Sequence, residues 1–399
     1  MESNRKDRRQ FLKEAGLLTA AALVIKPQDI FARAEGYASG EQAPKMPGSR
    51  KMQLDWENFT GQMKYTFTIS GSSRTSTPIV ITRISWDGYT GYGEAAMPPY
   101  LGETQASCND FLIKVRTVLD KFDDPFVLDD ILPAIDAVTT NNTAAKASVD
   151  IALHDLVGNI FGQPWWKIWG FDASKTPVTC YTIGYDASDD VVNDKIAEAS
   201  WTKLIKVKLG MGDEQDRRMI NMIRAKLDTP IVVDANQGWK DKYYALDMIE
   251  WLAGKGVKMI EQPVPKLWLD EAAWITERSP LPVMADEACQ RLTDIPHLKG
   301  AYSGINIKLM KCTGMREARE MVSLAQDFRM KIMVGCMTET SVAISAAAQI
   351  SPKVSWADLD GNILIANDCF DGMKLVDGKI TLSDKPGLGL VKKPGIIDL

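Results

Sequence analysis

From Leu204 onward the chain repeats one device, a short apolar run that ends on a charged or small residue. L-I-K-V-K-L carries Lys206 and Lys208, I-V-V-D ends at Asp234, K-M-I-E at Glu261 and P-V-M-A-D at Asp286; then come I-N-I-K ending at Lys308, K-I-M-V-G at Gly335 and V-S-W-A-D at Asp358. Successive ends lie about 22 to 27 residues apart, enough for a strand, a helix and two short loops. Such a βα repeat, with charged residues at the strand ends, predicts a parallel barrel that collects its functional groups at the C-terminal rim. A doubly wound sheet is the alternative, but it would carry a glycine-rich phosphate turn after its first strand, and none is present.

Adding V-T-C-Y-T-I near Val178 brings the barrel to about eight strands. Ahead of it, Y-T-F-T-I-S, a polar G-S-S-R-T-S-T turn, P-I-V-I-T-R-I-S-W and D-G-Y-T-G-Y-G-E read as an antiparallel meander. Three helical patterns follow, near Thr104 to Lys121, Leu128 to Val138 and Thr143 to Phe161, the last opening on a capping-type threonine. G-Q-P-W-W-K-I-W-G places its tryptophans at a domain junction. The fold class is therefore α/β, a modified TIM barrel with an N-terminal α+β capping domain. The expected organisation is an export signal over 1–34, a linker over 35–50, the capping domain over 51–141, the barrel over 142–360, and a C-terminal segment over 361–399 returning to the capping domain.

The signal assignment rests on Arg8-Arg9 before Phe11-Leu12-Lys13, a mildly apolar Leu17 to Ile25, and Ala32-Arg33-Ala34 as a cleavage site. The apolar stretch is too short to span a bilayer as a mature helix. These features predict a periplasmic protein with no membrane association after signal removal. A formal charge of -5 gives no reason to expect a nucleic-acid partner, so small molecules are the expected ligands. Six scattered cysteines contain no C-x-x-C pair, which argues against thiolate metal sites. His154 and His297 are the only histidines, and each fits a structural position, so acid-base work falls to Lys, Asp and Glu.

Asp234, Glu261 and Asp286 end consecutive strands and so converge at one rim. Three negative charges in a low-dielectric cavity repel one another unless a cation sits among them. Oxygen ligands without His or Cys favour Mg²⁺. Taken singly, each acid could be a helix cap or a surface ion-pair partner; the shared spacing is what favours the metal. Lys208 lies on the strand before the first acid and Lys308 on the strand after the last, so the two flank the metal and suit proton removal from one face and delivery to the other. A lysine base needs its pKa lowered to about 7 to 8, and burial, the metal charge and Lys206 all push Lys208 that way. Lys206 is positioned to touch a bound carboxylate or a metal ligand.

Those residues resemble the enolase superfamily, muconate-lactonizing subgroup. The resemblance covers essentially all of the chain after the linker and rests on K-V-K at Lys206 to Lys208, V-V-D-A-N-Q-G-W, M-I-E-Q-P, A-D-E-A, I-N-I-K-L-M-K-C-T-G and M-V-G-C-M-T-E-T-S. It implies a capping domain over a modified barrel, Mg²⁺ on Asp234, Glu261 and Asp286, an enolate intermediate, and Lys208 and Lys308 as the acid/base pair. Glu287 is implied as a partner behind the ligands. A-D-L-D-G adds Asp358 and Asp360, which at i and i+2 on a strand face one side and suit a substrate ammonium, as in dipeptide epimerases. Arg74 in G-S-S-R-T matches the arginine that meets the glutamate side-chain carboxylate in epimerases of L-Ala-D/L-Glu, from a mobile loop of the capping domain; a second arginine of some relatives is Gly71 here. The expected activity is Mg²⁺-dependent epimerisation of a dipeptide such as L-Ala-D-Glu or L-Ala-L-Glu by two-base proton transfer, an isomerase reaction on a cell-wall type of peptide. A cycloisomerase, an acid-sugar dehydratase and a non-catalytic binding relative are the rivals; subunit count is left open.

Overall fold

A computed structural model describes residues 51–399. The expected export signal and the whole of the expected linker lie outside the described residues. Three antiparallel strands open the described chain, β1 (Gln53–Ile69), β2 (Ser72–Trp86) and β3 (Tyr89–Ala96). Helices α1 (Gln105–Leu119), α2 (Leu128–Asp136) and α3 (Thr143–Phe161) pack behind them, followed by the short α4 (Trp165–Ile168).

The polar stretch expected as a turn between β1 and β2 is mostly strand. Ile69 pairs with Ser72, leaving Ser70 and Gly71 as the whole turn, and Gly71 takes a positive φ of 79°. A glycine adopts that conformation without a Cβ penalty, which accounts for its place at the tip. Arg74 is consequently a strand residue paired with Phe67 rather than part of a loop. Polar β-branched residues at an exposed hairpin end read as a turn by composition, yet the ladder holds them. The register slips between Gln62 and Phe67, and the bulged segment bends onto the chain after the last barrel strand, where Met63 bridges Ile365 and Ala366 N donates to Gln62 O at 2.8 Å.

The threonine expected to cap α3 does not do so. The N-cap is Asn142, whose side chain makes no capping bond; the carboxylate of Glu103 instead accepts from Ala144 N at 2.9 Å and Ala145 N at 3.3 Å. A distant acid thus satisfies the free N–H groups of the first turn, as the helix dipole favours.

The barrel runs β4 (Tyr181–Ile183), α5 (Asp189–Glu198), β5 (Ile205–Lys208), α6 (Asp213–Arg224), β6 (Ile231–Asp234), α7 (Lys242–Gly254), β7 (Val257–Glu261), α8 (Leu269–Arg278), β8 (Val283–Ala285), α9 (Ile295–Leu298), β9 (Gly304–Lys308), α10 (Met315–Asp327), β10 (Lys331–Gly335), α11 (Ser341–Ala348) and β11 (Trp356–Asp358). The eight strands are parallel neighbours in chain order, and a parallel bridge between Thr179 and Ala357 closes the ring, with Cys180 N donating to Ala357 O at 3.0 Å. The expected α/β barrel with its antiparallel cap is therefore the fold. Strands buried on both faces need continuous apolar runs, which is why β5, β6 and β9 carry so few polar residues outside the rim. After β11 the chain crosses back to the cap. Phe370, in β12 (Phe370–Asp371), lies 4.9 Å from the ring of Tyr92, and Leu388 N donates 2.8 Å to Asp155 on α3.

Candidate active site

Strand register sets the level of each rim residue. Lys208 pairs with Asp234 and Asp234 with Glu261, while Lys308 and Asp358 both pair with Gly335; Asp286 follows the last residue of β8. Carboxylate oxygens of Asp234, Glu261 and Asp286 lie within 4.8 Å of one another, and all three side chains are buried. Lys208 Nζ reaches Asp234 Oδ2 at 2.7 Å from one end of the cluster, and Lys308 Nζ reaches Asp286 Oδ2 at 2.7 Å from the other.

Lys206 points inward one level lower and is fully buried. Its Nζ lies 2.7 Å from Asp358 Oδ2, 2.7 Å from Glu261 Oε2 and 3.3 Å from Asp234 Oδ2. It is thus tied to two of the acid cluster and to Asp358 at once. Asp360 Oδ2 accepts from Thr182 N at 2.6 Å, and Thr182 Oγ1 donates to Asp358 Oδ1 at 3.4 Å. The two carboxylates of A-D-L-D-G therefore share one neighbour on β4.

Burial and charge compete over how these groups titrate. Burial alone would raise Asp234, but Lys208 and Lys206 outweigh it and hold the carboxyl below the usual carboxylate range. Burial likewise opposes Lys308 and Lys311 at Asp286, and the lysines prevail by a wide margin. Glu261 goes the other way, pushed to about 7 by burial and by Asp234. Glu287 is raised to about 7 by burial and then Asp286, and Asp360 to about 7 by burial and then Asp358. Burial pulls Lys308 down, yet Asp286 more than restores it and holds the ammonium well above its ordinary value. At Lys308 this direction is opposite to the lowering that a lysine base needs, because the neighbouring carboxylates, Asp286 foremost, direct their field at the amine.

The residues present fit a hard divalent cation. Four buried acceptor atoms at this rim receive no hydrogen bond: Glu261 Oε2, Glu287 Oε2, Asn236 Oδ1 and Asn306 Oδ1. Glu261 Oε2 is close to Lys206 but not in hydrogen-bonding geometry. Buried oxygen acceptors left without donors beside three carboxylates call for a cation or its coordinated waters, not for another acceptor.

Several residues that support this site were not singled out from the sequence. Lys311 Nζ donates to Asp286 Oδ1 and Asp286 O, each at 2.6 Å, and to Asn306 O at 3.0 Å. Asn306 Nδ2 donates to Glu261 Oε1 at 2.8 Å. Gln262, at a φ of 38°, accepts from Asp286 N and Ala288 N and so orients the segment carrying Asp286 and Glu287. Lys311 sits three residues beyond Lys308 past the strand end, where period-two counting no longer applies; an apolar run interrupted by a second lysine was the available signal. Glu287 accepts from Asn236 Nδ2 at 3.4 Å.

A cavity of about 50 Å³ opens above the acids, lined by Phe67, Ile69 and Arg74 of the cap hairpin, by Tyr100, and by Lys208, Lys308, Asp286, Asp358 and Asp360 of the rim. Arg74 stacks 5.0 Å from the ring of Phe67 and donates from Nη2 to Thr338 Oγ1 at 3.1 Å. A larger cleft of about 940 Å³ lies between α2, α4 and α10 and reaches none of the rim acids. Converging titratable groups, not volume, mark the site.

Residues 59–170 match the mandelate racemase / muconate lactonizing enzyme N-terminal domain, and residues 192–394 the enolase C-terminal domain-like family. An L-Ala-D/L-Glu epimerase of Bacteroides thetaiotaomicron is 54% identical over 387 residues, 97% of this chain and 99% of that protein. The substrate-liganded L-Ala-D/L-Glu epimerase of Bacillus subtilis superposes with a TM-score of 0.80 at 27% identity, covering 86% of this chain and 99% of the other. A dipeptide epimerase of Enterococcus faecalis, complexed with Mg and L-Leu-L-Tyr, gives 0.79 at 29% identity over 85% of this chain and 99% of the other. With both domains matched and a relative 54% identical over nearly the whole chain, the chain belongs to the mandelate racemase / muconate lactonizing enzyme family of the enolase superfamily.

Proposed function

We propose that this protein is a Mg²⁺-dependent dipeptide epimerase that inverts the carbon beside the terminal carboxylate of L-Ala-D-Glu or L-Ala-L-Glu. The observation that carries the reading is the ordering along the rim: one lysine on Asp234, one on Asp286, and the three acids between them. Identity to the Bacteroides thetaiotaomicron epimerase over nearly the whole chain supports the substrate class.

Asp234, Glu261 and Asp286 hold the metal, which when bound stabilises the negative charge that develops as the carbon acid loses its proton. Lys208 and Lys308 exchange roles with direction. One, as the neutral amine, takes the α-proton; the other, as the ammonium, returns a proton to the opposite face, so charge and protons balance over a turnover. Lys206 keeps Asp358 and Glu261 fixed in the rim. Asp358 and Asp360 receive the substrate ammonium, and Arg74 the side-chain carboxylate, with a planar fork suited to two oxygens. The cap hairpin over the cavity keeps water from the exchanging proton.

Export to the periplasm, proposed from Arg8-Arg9 and the apolar segment behind them, would place the enzyme beside cell-wall peptides. A fusion of residues 1–34 to a reporter that is active only after twin-arginine export tests that address, and retention in the cytoplasm would reject it.

In D₂O with Mg²⁺, L-Ala-L-Glu is expected to gain one deuterium at the glutamyl α-carbon while L-Ala-D-Glu accumulates. Lys208→Ala and Lys308→Ala should each lower inversion by at least a thousandfold, given the contribution of acid-base groups acting together. Absence of exchange with any dipeptide would rule the reading out.

A further inference from the structure

Two separate parts of the cap meet the same short loop of the barrel. Arg74, on β2, donates to Thr338, and Tyr100, on the turn Pro99–Leu101, donates its hydroxyl to Met337 Sδ at 2.6 Å. Met337 and Thr338 are consecutive, so guanidinium and phenol are brought together over one wall of the cavity that also holds Lys308.

Neither donor is well used there. A thioether sulfur is a weak acceptor, and Arg74 Nε is buried without any acceptor. Thr338 Oγ1 is already engaged at 2.5 Å by Thr77 Oγ1. Two strong donors and no anion between them is the arrangement a carboxylate would complete, since hydrogen bonds to a charged oxygen are roughly twice as strong as neutral ones. Their placement costs little on binding. Tyr100 stands on a turn entered through Pro98 and Pro99 and closed by Gly102 N donating to Pro99 O at 3.1 Å, while Arg74 is held in a ladder against the ring of Phe67.

We propose that the Tyr100 hydroxyl is a specificity-determining group that binds the side-chain carboxylate of the second residue together with Arg74, one oxygen accepting from the phenol and the other from the guanidinium. This inference rests on the dipeptide-epimerase reading and adds a residue to its substrate recognition. A neutral side chain leaves Tyr100 on Met337, so the phenol discriminates between acidic and apolar dipeptides and takes no part in the proton transfer.

Tyr100→Phe removes the donor and keeps the ring, and the probes are L-Ala-L-Glu and L-Ala-L-Met, followed by deuterium exchange. KM for L-Ala-L-Glu should rise roughly ten- to a hundredfold with kcat little changed, because a hydrogen bond made equally in the bound and transition states is lost. The ratio of kcat/KM for the acidic over the apolar dipeptide should fall by the same factor. Arg74→Met combined with Tyr100→Phe should cost less than the product of the single losses, since both act on one carboxylate. Equal losses on the two dipeptides, or no change in their ratio, would overturn the proposal while leaving the epimerase reading intact; a parent enzyme that exchanges neither dipeptide would remove both.

Discussion

Glu94 on β3 has no part in the chemistry, yet its carboxylate joins cap to barrel. It is fully buried and accepts from Thr340 N at 2.8 Å, Thr340 Oγ1 at 2.5 Å and Ala343 N at 3.1 Å, at the first turn of α11. Burial raises it to about 7 against the pull of those donors. Nearby Glu339 is raised well above its ordinary value by burial and by Glu94. The unfolded glutamate loses its proton near pH 4.5, so between about 4.5 and 7 the folded chain holds more protons than the unfolded one. Stability contributed by this group is whole below pH 4.5 and falls as pH rises toward 7, by on the order of 3 kcal/mol for a shift of this size. Glu94→Gln, which keeps the shape and cannot ionise, should flatten that decline when urea unfolding is followed at pH 5, 6 and 7. Equal slopes in the parent and the variant would show that Glu94 is ionised throughout.

Among the elements, α3 shows why periodicity found the helix and not its role. Its polar residues Lys146, Ser148, Asp150, His154 and Asp155 are as buried as its apolar ones. Three of the five have partners outside the helix: Lys146 Nζ reaches Asp136 at 2.8 Å, Asp150 accepts from Met315 N at 2.5 Å at the start of α10, and Asp155 accepts from Tyr92 N at 2.9 Å. A hydrophobic count reads such a helix as half exposed, because it cannot see acceptors that the fold supplies. The close fit of β3 on this helix depends on Gly93, where an added Cβ would lie 1.8 Å from Ser148 O. Backbone on both sides cannot yield to that overlap. Gly93→Ala should therefore separate the sheet from α3 and lower stability by several kcal/mol, read as a lowered urea midpoint or insoluble expression. An unchanged midpoint would mean the helix slides to accommodate the methyl.

Across the whole molecule, the metal reading has a consequence independent of turnover. A cation that binds only the folded rim stabilises the protein by about 2.7 kcal/mol at a hundredfold excess over its Kd. Mg²⁺ added to protein stripped with a chelator should raise the thermal midpoint, and Asp234→Asn should lose most of that rise. A parent with no Mg²⁺-dependent shift would argue against the three acids as a metal site.

Read linearly, strand ends in this chain already announce their charges. Lys206, Lys208, Asp234, Glu261, Lys308 and Asp358 were legible because a parallel strand buried on both faces must be apolar, and any ionisable residue interrupting it stands out. The same reasoning led to the barrel, and period-two alternation with helical spacing to the cap, without reference to a contact. What only the tertiary structure decided are the relations across elements: Glu103 rather than Thr143 at the start of α3, Lys311 behind Asp286, Lys206 shared between Asp358 and the acids, and Tyr100 brought beside Arg74. The physical reason is that periodicity encodes which face of an element is buried, whereas a hydrogen bond or ion pair depends on where the partner comes to lie after the chain has closed on itself, and no local pattern records that.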